Sequence, residues 1–159
     1  RCRRYAADFS GGSGNLLFMG RTGLGKTYLS ACIAMEVAAR GYEVRYYPAQ
    51  ALIDRFERVR FNREAGADDL TAMREILSCD LLILDDLGTE MTTAFVQSAL
   101  YQIVNGRMLS GRSTIISTNL APEELGHRYG APILSRIEGA YQILPFFGED
   151  IRKLRRKQM

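Results

Sequence analysis

The chain has 159 residues, 47% hydrophobic and 25% charged, with 21 Lys and Arg against 18 Asp and Glu for a formal net charge of +3. That size and balance suit a single globular domain with a buried core. No apolar run approaches the roughly 18 residues of a membrane span, and the opening Arg1-Cys2-Arg3-Arg4-Tyr5 lacks the apolar stretch of a secretory signal, so a soluble cytoplasmic protein is expected. Cys2, Cys32 and Cys79 are odd in number and without CxxC spacing, and His127 is the only histidine. Neither a disulfide framework nor a Cys/His metal site is therefore expected. Arg1 in place of an initiating Met marks the chain as a fragment, with a preceding N-terminal domain expected to be missing.

Residues 1–13 read as a basic, aromatic lead-in closed by the flexible Gly11-Gly12-Ser13-Gly14 stretch, and the domain proper is expected to cover 14–159. Leu16 to Met19 is a short apolar run bounded by glycines, a buried strand. Leu29, Ile33 and Val37 then recur at helical spacing up to Arg40, where Gly41 is placed to end the helix. Within it, Cys32 is expected as a small buried hydrophobe. Val44 to Tyr47 reads as a second strand, Ala49 to about Arg60 as a helix, Asn62 to Asp68 as a loop, and the stretch with Leu70, Met73 and Leu77 as a further helix. Leu81 to Leu84 is a third, fully buried strand. A long helix follows on Val96, Leu100 and Ile103, then a strand at Thr114 to Ile116. Short helices start at Pro122 and around Ile133 to Ile137, and a last strand, Tyr141 to Leu144, is stopped by Pro145. Strands alternating with helices predict an α/β fold, a five-stranded parallel sheet with helices on both faces.

Gly20-Arg21-Thr22-Gly23-Leu24-Gly25-Lys26-Thr27 is a complete P-loop placed between a buried strand and a helix. Its glycines let backbone N–H groups and the helix N-terminus face a phosphate chain. Lys26 is expected to reach the β- and γ-phosphates and the Thr27 hydroxyl to ligate Mg²⁺. Asp85 and Asp86 end a buried apolar strand, a costly place for two carboxylates unless a cation or a catalytic task accounts for them. Asp85 is expected to hold Mg²⁺ and Asp86 to orient the attacking water, with Glu90 a weaker candidate for that task. Asn119, after Ser117 and Thr118 at a strand tip, suits a residue that positions water against the γ-phosphate. Arg128, Arg136 and Arg152 are each able to stabilise charge on a transferring phosphoryl group or to pair with a surface carboxylate. Two basic runs, Arg55, Arg58, Arg60 and Arg63, and Arg152 to Lys157, are either solvated helix faces or nucleic-acid contacts.

Together, GRTGLGKT, LLILDDLGTE, IISTNL and RYGAPILSRI resemble the AAA+ domain of the DnaC-type helicase loaders and the related IstB-type transposition ATPases, over nearly the whole chain. DDLG is the most specific part of the resemblance, because most AAA+ proteins carry Glu where this chain has Asp86. The resemblance implies an AAA+ core with a reduced C-terminal lid and an ATPase that acts on single-stranded DNA during replication. Such an enzyme is weak alone and stimulated by self-assembly or DNA, with ATP, ADP and Mg²⁺ at its site. It further implies Asn119 as sensor 1, Arg136 as the arginine finger acting on a neighbour's ATP in an ATP-dependent homo-oligomer, and Arg152 as sensor 2, with Arg128 a secondary candidate for the finger. The segment from Ala49 to Ser78 becomes the insertion in which Arg55, Arg58, Arg60 and Arg63 contact single-stranded DNA, and the replicative helicase becomes the partner of the missing N-terminal domain. A transposition helper has the same active site; a small P-loop kinase and a non-hydrolysing ATP-binding adaptor are the readings from other classes.

Overall fold

The computed structural model describes residues 1–61, 67–151 and 153, those at 67–69 by their backbone alone. In chain order the elements are α1 (Cys2–Ala7), β1 (Asn15–Met19), α2 (Lys26–Ala39), β2 (Val44–Pro48), α3 (Ala49–Phe61), α4 (Ala67–Ser78), β3 (Leu81–Leu87), α5 (Ala94–Leu109), β4 (Ser113–Thr118), α6 (Pro122–Tyr129), α7 (Ala131–Ala140) and β5 (Tyr141–Pro145). The five strands form one parallel sheet in the order β2-β3-β4-β1-β5. Because side chains alternate along a strand, each strand feeds two cores. Leu16, Phe18, Leu81, Ile83 and Ile115 pack with Ile33 and Val37 of α2. Leu17, Leu82, Leu84 and Ile116 face the other way, against residues of α3, α5, α6 and α7. A sheet buried on both faces explains why β1, β3 and β4 read as continuous apolar runs rather than alternating ones.

Two expectations change. The lead-in is built into the fold: α1 packs on the α2 side of the sheet, with Ala6 and Phe9 buried in that core. Phe9 meets Tyr42 edge-on at 4.9 Å, Arg40 Nη1 donates to the Ala6 carbonyl at 2.8 Å, and Tyr5 OH donates to the Gly14 carbonyl at 2.9 Å. Cys32 is exposed rather than buried, and the buried thiol is Cys79. The reason is helical phase, since Cys32 shares the outer face of α2 with Tyr28 and Met35, four residues before it and three after, each 74% exposed.

The connection order places the site. β4 lies between β1 and β3, so what leaves β4 emerges between the loop after β1 and the carboxylates of β3. The register carries one irregularity: Leu84 pairs with Ile116 and Leu87 with Thr118, so three steps on β3 match two on β4. The extra residue falls at Asp85 and Asp86, and β3 runs on through both rather than ending before them. A bulge of this kind re-aims side chains at the rim of a sheet.

At the opposite end of the sheet a cation does structural work. Arg107 of α5 is fully buried, and its guanidinium donates to Thr114 Oγ1 at 3.0 Å and to the carbonyls of Ile76 at 2.7 Å, Cys79 at 3.0 Å and Ser113 at 2.6 Å. These partners are neutral, so the charge is spread over carbonyl dipoles that close the end of α4 and the start of β4. Burial pushes the Arg107 pKa down and the Cys79 thiol pKa up. Arg107→Met keeps the apolar stem but leaves those buried oxygens without donors. It is expected to cost about 3 kcal/mol or more of stability, read as a lower urea midpoint with an unchanged m-value.

Candidate nucleotide site

The loop between β1 and α2 is shaped by what lies against it. Gly20 has φ 154°, and a Cβ there would fall 2.4 Å from the Phe146 carbonyl oxygen; at Gly23, with φ 83°, it would fall 2.3 Å from the Asp150 carboxylate. At Gly20 the obstacle is backbone and admits no side chain, while at Gly23 the left-handed φ itself favours glycine. The segment after β5 is thus laid directly on the loop, and Ile151 N–H donates to the Gly23 carbonyl at 3.0 Å. Gly25 caps α2, so Lys26 and Thr27 occupy its first turn, where free N–H groups and the helix dipole favour an anion.

Lys26 is buried, and its Nζ donates to the carbonyls of Gly20 at 2.5 Å and Arg21 at 3.0 Å. Burial pushes its pKa down, while the carboxylates of Asp86 and Asp85 pull it back up. The ammonium therefore sits within the field of both acids.

Asp85 is 6% exposed and gathers hydroxyl donors from three elements. Thr27 Oγ1 donates from α2 at 3.2 Å, Tyr46 OH from β2 at 2.6 Å, and Ser117 Oγ from β4. Burial first, and then the Asp85 hydrogen bond, push the Tyr46 phenol above its ordinary pKa, so it remains a donor across neutral pH. Ser117 Oγ also accepts the Asp86 N–H at 2.9 Å, so one hydroxyl fixes both acids. Asp86 has φ 58°, the only non-glycine residue at positive φ among the described residues, and its side chain is exposed. An Asp tolerates this left-handed conformation better than a branched residue would. Asn119 leaves the end of β4 into a cleft of about 690 Å³, lined also by Arg21, Thr22 and Leu24 of the loop and by Asp150 and Lys153.

The expected residues Gly20 to Thr27, Asp85, Asp86 and Asn119 thus converge on one end of the sheet. The arginines sit elsewhere or lie outside view. Arg136, on α7, donates from Nε to Asn105 Oδ1 at 2.7 Å and from Nη2 to Tyr101 OH at 2.6 Å, its guanidinium 4.4 Å from the Tyr101 ring centroid. It does not line the cleft of its own chain. Arg128 is taken up by Glu90, to whose carbonyl its Nη2 donates. Glu90, the weaker candidate for activating water, is buried and tied to α6 by Tyr129 OH, which does not suit that task. On α3, Arg58 and Arg60 are exposed and Arg55 lies over the Tyr47 ring at 5.9 Å, with Asp54 and Glu57 interspersed. Arg63 and Arg152 lie outside the described residues. Tyr46 is the functional side chain that sequence reading passed over. The available signal was a hydroxyl-bearing residue near the end of a strand otherwise read only for its β propensity.

Residues 5–158 match the family described as IstB-like ATP binding protein. The replicative helicase loader DnaC of Escherichia coli (strain K12) is 27% identical over 154 residues, which covers 94% of this chain but 60% of that protein. The chain therefore spans less than two thirds of that relative's length. A crystal structure of the DnaC helicase loader matches with a TM-score of 0.82 at 24% identity, over 92% of this chain and 86% of that one. A replication initiator DnaA bound to AMPPCP and single-stranded DNA matches with a TM-score of 0.75 at 23% identity, over 99% of this chain and 49% of that one. The fold is that of an AAA+ P-loop domain.

Lys26→Met retains the buried stem and removes the ammonium. Affinity for ATP, measured by calorimetry or with a fluorescent analogue, is expected to fall about ten- to hundredfold while thermal stability holds, as befits the loss of a charge-assisted contact.

Proposed function

The chain belongs to the family of IstB-like ATP binding proteins, and from that premise we propose that it is an ATP-hydrolysing switch of DNA replication, a helicase-loader or primosome component that acts on single-stranded DNA. The observation that carries the reading is the Asp85 carboxylate held against the Thr27 hydroxyl, at the same end of the sheet as Asn119, which opens into the cleft beside the loop after β1. An adaptor that used ATP as structural glue would need the loop, but not a buried acid aligned with it. A small-molecule kinase would need an acceptor pocket, whereas Asp86 and Asn119 suit water.

The donor set at Thr27 and Asp85 is all oxygen, with one carboxylate, which fits Mg²⁺. Thr27 and Asp85 would hold it, the latter mainly through water; once bound, it would neutralise charge developing on the β- and γ-phosphate oxygens. The chain's own residues supply the rest. The loop amides and Lys26 grip the triphosphate. Asp86 orients a water in line with the terminal phosphate, and Asn119 holds that water from the β4 side. Arg136 reaches the ATP of a neighbouring copy, so hydrolysis depends on homo-oligomerisation in the ATP state, and Arg152 reads the nucleotide from the C-terminal segment. Arg55, Arg58 and Arg60, with Arg63, contact DNA phosphates, and the replicative helicase is engaged through a further N-terminal domain. The similarity to DnaC supports the replication role. The IstB description of the family favours a second reading, a transposition helper ATPase that shares this site and differs in its protein partner.

Turnover of ATP per subunit is expected to rise with protein concentration and with added single-stranded DNA, to vanish on chelation of Mg²⁺, and to lose the concentration-dependent rise in Arg136→Ala. Flat turnover indifferent to Arg136 would place the whole reaction within one chain. For the DNA contacts, Arg58→Ala is expected to lower the slope of log affinity against log salt by about one, as for the loss of one phosphate contact. A slope equal to the parent's would remove Arg58 from the interface.

A further inference from the structure

Glu90 stands in the loop between β3 and α5, 1% exposed, where an ionised side chain is costly unless every lone pair is used. Its partners come from two directions. On one side Oε1 accepts from Tyr129 OH and lies 4.0 Å from Arg128 Nε, both at the end of α6, and Arg128 Nη2 donates to the Glu90 carbonyl. On the other side Oε2 accepts the Gly88 N–H at 3.1 Å. An ion pair for stability alone would need only the first set.

Gly88 is two residues beyond Asp86, in the turn that follows the β3 bulge. Asp86 at φ 58° and Gly88 at φ 114° are both left-handed, so this turn has few intrinsic reasons to hold one shape. Four hydrogen bonds hold it: Ser117 Oγ on the Asp86 N–H, Thr89 Oγ1 donating to the Asp86 carbonyl at 3.1 Å, Thr118 Oγ1 donating to the Leu87 carbonyl at 2.6 Å, and Glu90 on the Gly88 N–H. The first three belong to the turn and its neighbouring strand, and among these bonds the fourth is the one that leaves the sheet. Glu90 alone connects the turn to another layer, the end of α6, which is itself fixed by Gln97 Nε2 donating to the Arg128 carbonyl at 3.0 Å. The turn lies beside the residues that follow β4: a Cβ on Gly88 would fall 2.8 Å from Leu120 Cδ1 and 3.5 Å from Asn119 Oδ1, so there is little free space between the two turns.

We propose that Glu90 is a positioning residue for hydrolysis, which holds Asp86, and with it the Asn119 turn, in the water-orienting geometry by anchoring the Gly88 amide to Arg128 and Tyr129 of α6. The proposal rests on the reading of Asp86 as the residue that orients water. Glu90 is buried and does not line the cleft, so its loss is expected to separate turnover from binding.

The test measures kcat at saturating ATP and fixed protein concentration, together with nucleotide affinity, for the parent, Glu90→Leu, Glu90→Gln, Glu90→Asp and Asp86→Asn. Glu90→Leu is expected to lower kcat about ten- to hundredfold, the scale of a catalytic group displaced by a fraction of an ångström to an ångström, with affinity within about twofold of the parent because the loop is untouched. Glu90→Gln, whose amide oxygen still accepts from Gly88 while its NH₂ meets the Tyr129 oxygen, recovers most of the lost turnover. Should Glu90→Leu fail to fold, Glu90→Asp decides: it keeps the charge for Arg128 but falls a methylene short of the Gly88 amide, and a reduced kcat with retained affinity supports the proposal. Parental kcat in Glu90→Leu, or in Glu90→Asp where that variant decides, overturns it, as does a Gln variant no better than Leu. If Asp86→Asn itself turns over like the parent, the reading of Asp86 fails and the proposal with it; if only Asp86→Asn is impaired, Glu90 alone is refuted.

Discussion

The Asp85 carboxylate is where the chain's layers are brought to a common point. A charge that follows the wholly apolar run Leu81 to Leu84 in a buried strand can be kept there only if donors converge on it, and each donor comes from a different element. Thr27 brings the start of α2, Tyr46 brings the edge strand β2, and Ser117 brings β4. Satisfying one acid therefore sets the height of the phosphate-binding helix against the sheet and the relative slide of three strands. The same hydroxyl that satisfies Asp85 also takes the Asp86 amide, so the position of one acid limits that of the other.

The two ends of the sheet solve opposite problems with similar means. At the nucleotide end a buried anion is met by hydroxyls, and at the far end a buried cation, Arg107, is met by carbonyls. Neither charge is cancelled by a direct partner of opposite sign among the contacts named here. The difference lies in what each arrangement leaves accessible. Arg107 is sealed, and its bonds terminate helices and strands. At the other end Asp86 is exposed, and Asn119, which leaves the neighbouring strand, lines a cleft of about 690 Å³.

Much of this was legible in the sequence because the signals were local. Short apolar, β-branched and aromatic runs fell on the five strands, and GRTGLGKT and the Asp85–Asp86 pair fell towards the strand ends that gather on one side of the sheet. What escaped depends on relations between segments. The β3 bulge is a mismatch of register with β4, which no single strand encodes, and it is why β3 continues to Leu87. Tyr46 becomes part of the site only because β2 pairs with β3 so that Pro48 lies opposite Asp85. Cys32 reads as buried from the apolar stretch around it, and only the phase of α2 places it on the outer face. The α1 lead-in was set aside because Gly11 to Gly14 looks like a boundary, although Phe9 before it completes the core over α2.

That lead-in has a mechanical meaning. Beyond the end of α2 Arg40 holds the Ala6 carbonyl and Tyr42 takes the Phe9 ring. The other end of α2 carries Lys26 and Thr27. α2 is thus one stiff element shared between the first residues of the chain and the loop after β1, and a displacement of α1 that carried Arg40 and Tyr42 with it would be passed along the helix to Lys26 and Thr27.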